Sequence, residues 1–372
     1  KRASFTGDLP DRASKIAALA RRVRSDISYT AIEFGYRAII PQPAAVTLHN
    51  RFGDCKDHAV LLHGLLEAAG IPSYLALIHS STPLHPDFPA LSQFDHMIVA
   101  VPAGKDRFDF IDPTDKFLEP VPGTAPLGLA GRQALILDPT RPHLASTPDA
   151  MAPSTGTLQR LVTVEDGKSV HITDQLSLSG PAAATLRAQL ATVAPGEQLP
   201  TLRRLLGLDR LREQLLEVSF TALRDSSLPL KARLVWQSGN TLQSSPQGIQ
   251  LALSTPLEDY LLFPASLTDQ ASTGTISLSS PIQLHTTITI QPPAGFSVQA
   301  PRPEPRQGSS SFGKWECLTK GATMTWSGRL FSGRWTGEQA TAGARFPAEA
   351  LLPLRQPWLL VPDPFVSNQP GQ

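Results

Sequence analysis

Cysteine is almost missing from this chain: 372 residues hold two, Cys55 and Cys317, in opposite halves. A disulfide framework needs more cysteines and a structural zinc site needs clustered Cys and His, so neither organises this fold. A solitary thiol is therefore free for chemistry. Long apolar runs are missing too. No stretch approaches the roughly 18 to 20 residues that span a bilayer, and no signal-type apolar segment stands near the start, so no transmembrane segment is expected. Charge of one sign is not in excess either: 33 Lys and Arg face 32 Asp and Glu, a formal net charge of +1. Such a chain has no field to gather nucleic acid, and none is expected as a partner. No acidic loop has calcium-binding spacing, and no cofactor or metal is implied.

Hydrophobic residues make up 41% of the chain, enough for packed cores, while 35 prolines favour loops and extended connections over long helices. The length exceeds one ordinary core. Shifts in composition divide it into an N-terminal domain over 1–150, a mixed strand and helix domain over 151–245 and a strand-rich domain over 246–372. Lys1 in place of methionine predicts a mature or truncated fragment.

Within the first domain, Ile16, Leu19, Val23 and Ile27 recur at helical spacing, so residues 8–28 read as an amphipathic helix. Arg21, Arg22 and Arg24 fall near its C-terminal end, where cations complement the helix dipole. Residues 54–70 read as a second helix with clear ends. Asp54 can cap it, Asp57 has the capping-box position, and Gly70 with Pro72 stops it. Its stripe of Ala59, Leu62, Leu65, Leu66 and Ala69 can bury one face on a sheet. Strand-like runs follow at 73–78, 96–101 and 107–112, and a loop with Pro83, Pro86 and Pro89 separates the first two. The last two read as a hairpin. Centred on Gly104, it sets His96 opposite Asp112, Ile98 opposite Phe110 and Ala100 opposite Phe108, and the cysteine-bearing helix is expected on that face. A one-residue slip would separate His96 from Asp112.

Beyond residue 150, residues 158–164 and 169–178 read as strands around the turn Glu165-Asp166-Gly167. Residues 182–216 read as mainly helical with a break near Pro195-Gly196. After Val218 short strand-like runs such as 276–278, 283–290, 322–326 and 358–361 suggest a β-sandwich, with 306–312 as a poorly ordered tip.

The chemistry concentrates at three residues. Cys55 sits in the first turn of its helix, where unpaired amides and the helix dipole favour a thiolate. A histidine can take its proton and later protonate a leaving amine, and a carboxylate can orient that histidine. His96 and Asp112 meet those needs. Each also has a structural reading: a buried thiol, a hydrogen-bonded strand histidine, and a turn-forming Asp before Pro113. The backbone amide of Cys55 is the first oxyanion donor; Tyr29, Tyr36, Gln42 and Asn50 carry groups suited to a second, each with a structural role as its default. Lys56 and Asp57 read as capping or surface-pairing residues. His58 and His63, five apart, lie on different helix faces and do not form a metal pair. Cys317 reads as a buried structural thiol, and Trp315, Trp326, Trp335 and Trp358 as core, with a carbohydrate or peptide platform as the alternative.

The run Asn50-Arg-Phe-Gly-Asp-Cys-Lys-Asp-His-Ala-Val-Leu-Leu62 resembles the nucleophile motif of the transglutaminase-like superfamily, particularly a Gly-Asp-Cys-Lys-Asp form found in bacterial proteins with flanking β-rich domains. Ala69-Gly-Ile71, Phe94-Asp-His96 and Ile111-Asp-Pro-Thr114 follow in the matching order, and Ile32-Glu-Phe-Gly35 and Pro41 to Pro43 fit upstream. The resemblance covers about residues 10–120. It implies an α+β fold: a papain-like core, with the cysteine helix packed on an antiparallel sheet, followed by mixed α/β and β-sandwich domains. It also implies a catalytic triad of Cys55 as nucleophile, His96 as base and acid, and Asp112 as the orienting residue. The activity implied is acyl transfer on a peptide or protein amide through a thioester, by hydrolysis as in a cysteine peptidase or amidase, or by transamidation. The alternative is a catalytically silent or occluded binding module of the bacterial envelope. A Gram-negative periplasmic location and a further N-terminal β-domain are implied by the same resemblance.

Overall fold

A computed structural model describes residues 9, 11–32, 34–85, 87–165, 169–208, 213–238, 241–262, 273–301 and 306–363. Glu33, Pro86 and the expected turn at Asp166-Gly167 lie outside the described residues. The chain forms two compact units, Lys1–Ala152 and Pro153–Gln372.

In the N-terminal unit, α1 (Arg12–Asp26) begins at Asp11, whose carboxylate accepts the Ser14 amide at 2.8 Å. It buries Ile16, Leu19, Ala20 and Val23, and Arg24 on the same stripe. β1 (Ser28–Tyr29) pairs in parallel with β2 (Phe52–Gly53), and between them lies α2 (Ala44–Asn50), which sequence periodicity does not single out. Next come α3 (Cys55–Ala68), β3 (Tyr74–Ile78), β4 (His96–Pro102), β5 (Phe108–Ile111), β6 (Gln133–Ile136) and β7 (His143–Ser146). The five strands from β3 onward form one antiparallel sheet in the order β5-β4-β3-β6-β7.

The hairpin register differs from the expected one by two residues. Val99 faces Ile111, Ala100 faces Phe110 and Pro102 faces Phe108. The reason lies in the loop: the Ala103 amide donates to the Arg107 carbonyl at 2.8 Å, so the turn centres on Lys105 rather than Gly104. Asp106 takes a left-handed φ of 54° to close it. An even shift leaves every side chain on its face, so the shared side of His96 and Asp112 is preserved. The covering of the sheet also differs. α1 and α3 pack on the side of Met97, Val99, Val101 and Ile111. Ile98, Ala100 and Phe110 instead pack with Leu129, Ala134 and Ile136 on the other side. Helix and histidine therefore meet at the end of the strand and not across a shared face.

The C-terminal unit mixes strands and helices. Its largest sheet has eight strands, in the order Glu213–Thr221, Leu230–Ser238, Ser169–Ser179, Ser154–Glu165, Ile282–Gln291, Thr323–Leu330, Gly313–Lys320 and Arg306–Ser309. The strand Ser154–Glu165 pairs in parallel with Ile282–Gln291, so segments on either side of the boundary expected at residue 245 share one sheet. The expected helical stretch 182–216 resolves into Pro181–Leu190 and Gln198–Leu205, and its end belongs to a strand beginning at Glu213. The tip expected to lack order begins with the paired strand Arg306–Ser309. A helix over Glu338–Leu351 stands where only strands were expected; Trp326 donates its indole N–H to the Ala350 carbonyl at 2.8 Å, which ties the helix to the sheet.

Candidate active site

Cys55 is the first residue of α3, and the turn beneath it is fixed by paired aspartates. Asp54 accepts the Asp57 amide at 3.3 Å and Asp57 accepts the Asp54 amide at 3.4 Å, a reciprocal capping box. Asp57 is fully buried and also accepts the Arg37 guanidinium at 2.8 Å and the Gln42 amide at 2.7 Å. Lys56, expected at the surface, is instead buried and pairs with the Asp54 carboxylate. The site is thus built on a buried charged network, and the helix start cannot easily re-form without it.

Gly53 is needed for space. A methyl group there would lie 2.5 Å from Asp57 Cβ and 2.8 Å from its Oδ2. Gly53→Ala should push Asp57 off the cap and lower stability by about 2 kcal/mol, the sum of a lost cap and a strained buried acceptor. The urea midpoint of the N-terminal unit checks this; an unchanged midpoint would show that the turn relaxes freely.

His96 opens β4 and Asp112 follows β5, so adjacent antiparallel strands deliver the two side chains to one end of the sheet. His96 Nε2 lies 2.9 Å from Asp112 Oδ2. The other carboxylate oxygen of Asp112 accepts the Thr114 amide at 2.8 Å and its hydroxyl at 2.7 Å, which fixes the carboxylate plane. With Nε2 engaged, Nδ1 is the ring nitrogen left for the thiol, and Cys55 is near enough to act on the charge of the ring. Burial alone would lower the His96 pKa. The hydrogen bonds and charges of Asp112 and Cys55 overcome it and raise it to about 10. Burial works against the Asp112 carboxylate as well, yet His96 and Thr114 hold its pKa below the usual range. Cys55 is only partly buried. A cleft of about 260 Å³ beside the pair is lined by Ser80, Asp95, His96, Asp112 and Leu127–Leu129.

Arg24 is the residue that sequence reasoning underused. Rather than decorating a helix end, it is 6% exposed and donates to the carbonyls of Leu118 at 2.5 Å and Asp112 at 2.8 Å. It therefore anchors the segment that presents Asp112. Burial pulls its pKa down, and Asp115, Glu119 and Asp112 act against that pull. A signal existed: Arg24 stands four residues after Ala20 and three before Ile27, inside the apolar stripe.

The other candidates find varied places. Tyr29 is half-exposed with its ring 5.9 Å from His58, Tyr36 is 86% exposed, and Asn50 is exposed at the end of α2. Gln42 is partly buried, and its main-chain amide is taken by Asp57. His58 is buried with a ring nitrogen 2.8 Å from the carbonyl of Asp54, and the partly buried His63 lies 2.9 Å from the Ser73 hydroxyl, so each has its own partner. Cys317 is buried, which pushes its thiol up to about 11.

Residues 2–96 match the family model of the transglutaminase-like superfamily. A crystal structure from Parabacteroides distasonis ATCC 8503, described as a candidate protease, is similar with a TM-score of 0.50 and 14% sequence identity. The similarity covers 96% of this chain and 53% of that one, so the present chain spans about half the length of the structure it matches. At that identity the likeness is one of fold. No curated protein matches the chain.

Proposed function

We propose that this chain, whose N-terminal unit carries a transglutaminase-like core, is a thiol-dependent acyl-transfer enzyme acting on peptide or protein amides, with hydrolysis as its most direct outcome. The observation that carries the reading is the His96–Asp112 contact of 2.9 Å beside Cys55 at a helix start, with the imidazole held protonated to about 10. The Cys55 sulfur attacks the amide carbonyl, and the oxyanion forms against the Cys55 backbone amide. The C–N bond then breaks as His96 hands its proton to the departing nitrogen, which leaves a thioester on Cys55 and a neutral imidazole. His96 next takes a proton from water, the hydroxide oxygen attacks the thioester, and a carboxylic acid leaves as thiolate and imidazolium are restored. A primary amine in place of water gives transamidation by the same steps. Asp112, fixed by Thr114 and through its own carbonyl by Arg24, keeps Nε2 engaged so that Nδ1 faces sulfur throughout. We read the C-terminal unit, mixed in strands and helices with a β-sandwich-like part over 246–372, as an accessory module and assign it no step.

The test is a peptide-library digest read by mass spectrometry, run with and without an added primary amine. New carboxyl termini, or amides of the added amine, are expected from the native chain and from none of Cys55→Ser, His96→Ala or a heat-denatured control. Products that persist in Cys55→Ser would overturn the assignment.

A further inference from the structure

Large apolar side chains left open to solvent are unevenly distributed in this protein. Among the described residues seventeen are exposed, and eight of them lie between residues 29 and 52, directly before the nucleophile. Phe34 and Tyr36 are 87% and 86% exposed, with Ile39 and Ile40 just after them in sequence and Phe52 at the end of the segment. This segment is fastened to the helix that starts at Cys55. Tyr29 pairs with Gly53, the Thr30 amide donates to the Gly53 carbonyl at 2.9 Å, and Arg37 and the Gln42 amide are both held by Asp57. The charge of Arg37 is thereby turned inward, and apolar groups are left outward. A second exposed pair, Phe88 at 73% and Leu91 at 56%, lies in the 80–93 loop. That loop is fastened to the other half of the site, because Ser80 donates both its amide and its hydroxyl to Asp95, the neighbour of His96.

Ten of the seventeen exposed large apolar residues therefore sit on the two segments attached to Cys55 and to His96. Isolated exposed hydrophobics are ordinary, but such a concentration marks a surface that something apolar covers. Both banks are anchored to the elements that carry Cys55 and His96, so an occupant that touches both passes close to the reacting pair. We infer that the substrate is an extended polypeptide segment carrying large apolar side chains on both sides of the reacting amide, gripped by the 29–52 bank and by Phe88 and Leu91. A small polar amide would leave both banks wet and gain nothing from them. This inference rests on the reading of Cys55 and His96 as a catalytic pair.

The experiment measures Cys55 labelling by peptidyl vinyl sulfones carrying either Leu-Phe or Ser-Asp before the warhead, with iodoacetamide as the size-independent reference. The native chain should take the apolar reagent at least about tenfold faster than the polar one, the discrimination typical of apolar pockets. In Phe34→Ser/Ile39→Ser, and separately in Phe88→Ser, each rate divided by that variant's own iodoacetamide rate should show the preference reduced to about twofold. Equal rates for the two reagents in the native chain, with iodoacetamide labelling that still depends on His96, would overturn the substrate inference and leave the catalytic reading standing. Iodoacetamide labelling indifferent to His96 would overturn both. A change from dimer to monomer in Phe34→Ser/Ile39→Ser, seen by light scattering, would assign the bank to a second copy of the chain and overturn the inference as well.

Discussion

Iodoacetamide should alkylate Cys55 about a hundredfold more slowly in His96→Ala than in the native chain at pH 6. An unassisted thiol, titrating near 8.5, is about 0.3% ionised at that pH, and the thiolate is the nucleophile. Native labelling should persist at pH 6 because an imidazolium stands beside the sulfur; the lower intrinsic reactivity of an assisted thiolate trims the ratio from about three hundred to about one hundred. The sign of the pH dependence follows from His96. Its folded pKa is raised from 6.5 to about 10, so the pairing contributes fully below 6.5 and is lost as pH rises through about 10. The native rate should accordingly exceed the variant rate most at the acid end, while the variant rate climbs about tenfold per unit toward 8.5. Cys317 supplies the internal reference, since burial pushes its thiol up to about 11 and keeps it silent while the unit is folded. Equal native and variant rates at pH 6, measured by intact-mass spectrometry, would sink the idea of a preassembled pair.

The second large effect belongs to the C-terminal unit. Glu258 lies in the helix Pro256–Leu262, fully buried, and neither carboxylate oxygen has a hydrogen-bond partner on another residue among those described. Arg160 approaches only to 3.9 Å, because Asp174 already holds its guanidinium through two contacts of 2.8 and 2.9 Å. Burial therefore dominates, and the Glu258 pKa rises from 4.5 to about 7. The unfolded chain loses this proton near 4.5 while the folded unit keeps it to about 7. Stability falls across that window by about 1.4 kcal/mol per pH unit, about 3 kcal/mol in all, and the loss persists above it. Glu258→Gln, a neutral isostere, should remove that slope. Relative to the native chain it should gain stability progressively from pH 4.5 to 7, by about 3 kcal/mol at pH 8. Urea unfolding at pH 5 and pH 8 measures the difference, and a stability gap that does not change with pH would show that Glu258 stays ionised against Arg160.

The candidate site was legible where its determinants are local. Asp54, Cys55, Asp57 and Gly70 define both ends of one helix through contacts a few residues apart, and short-range geometry of that kind can be read along the chain. The common side of His96 and Asp112 was equally legible, because strand alternation has period two and survives the even shift imposed by the 103–107 loop. Lys56 misled because a charge beside a helix start is usually solvated; its burial follows from the Asp54 carboxylate, itself 4% exposed. Glu258 sat between Leu257 and Leu261, a hint of burial that strand-like composition around it concealed.

Sequence alone thus determined the capped helix that presents Cys55, the side of the hairpin shared by His96 and Asp112, and a minority of the strands beyond residue 150, Ser154–Glu165, Ser169–Ser179 and Ile282–Gln291 among them, since each depends on neighbours or on a short repeat. Tertiary structure decided the rest. Which side of the sheet α3 covers, the anchoring of Asp112 by Arg24 across 88 positions, and the parallel pairing of Ser154–Glu165 with Ile282–Gln291 are contacts between distant segments. Their free energy comes from removing apolar surface and satisfying buried polar groups together, and no local pattern encodes which distant partner does so.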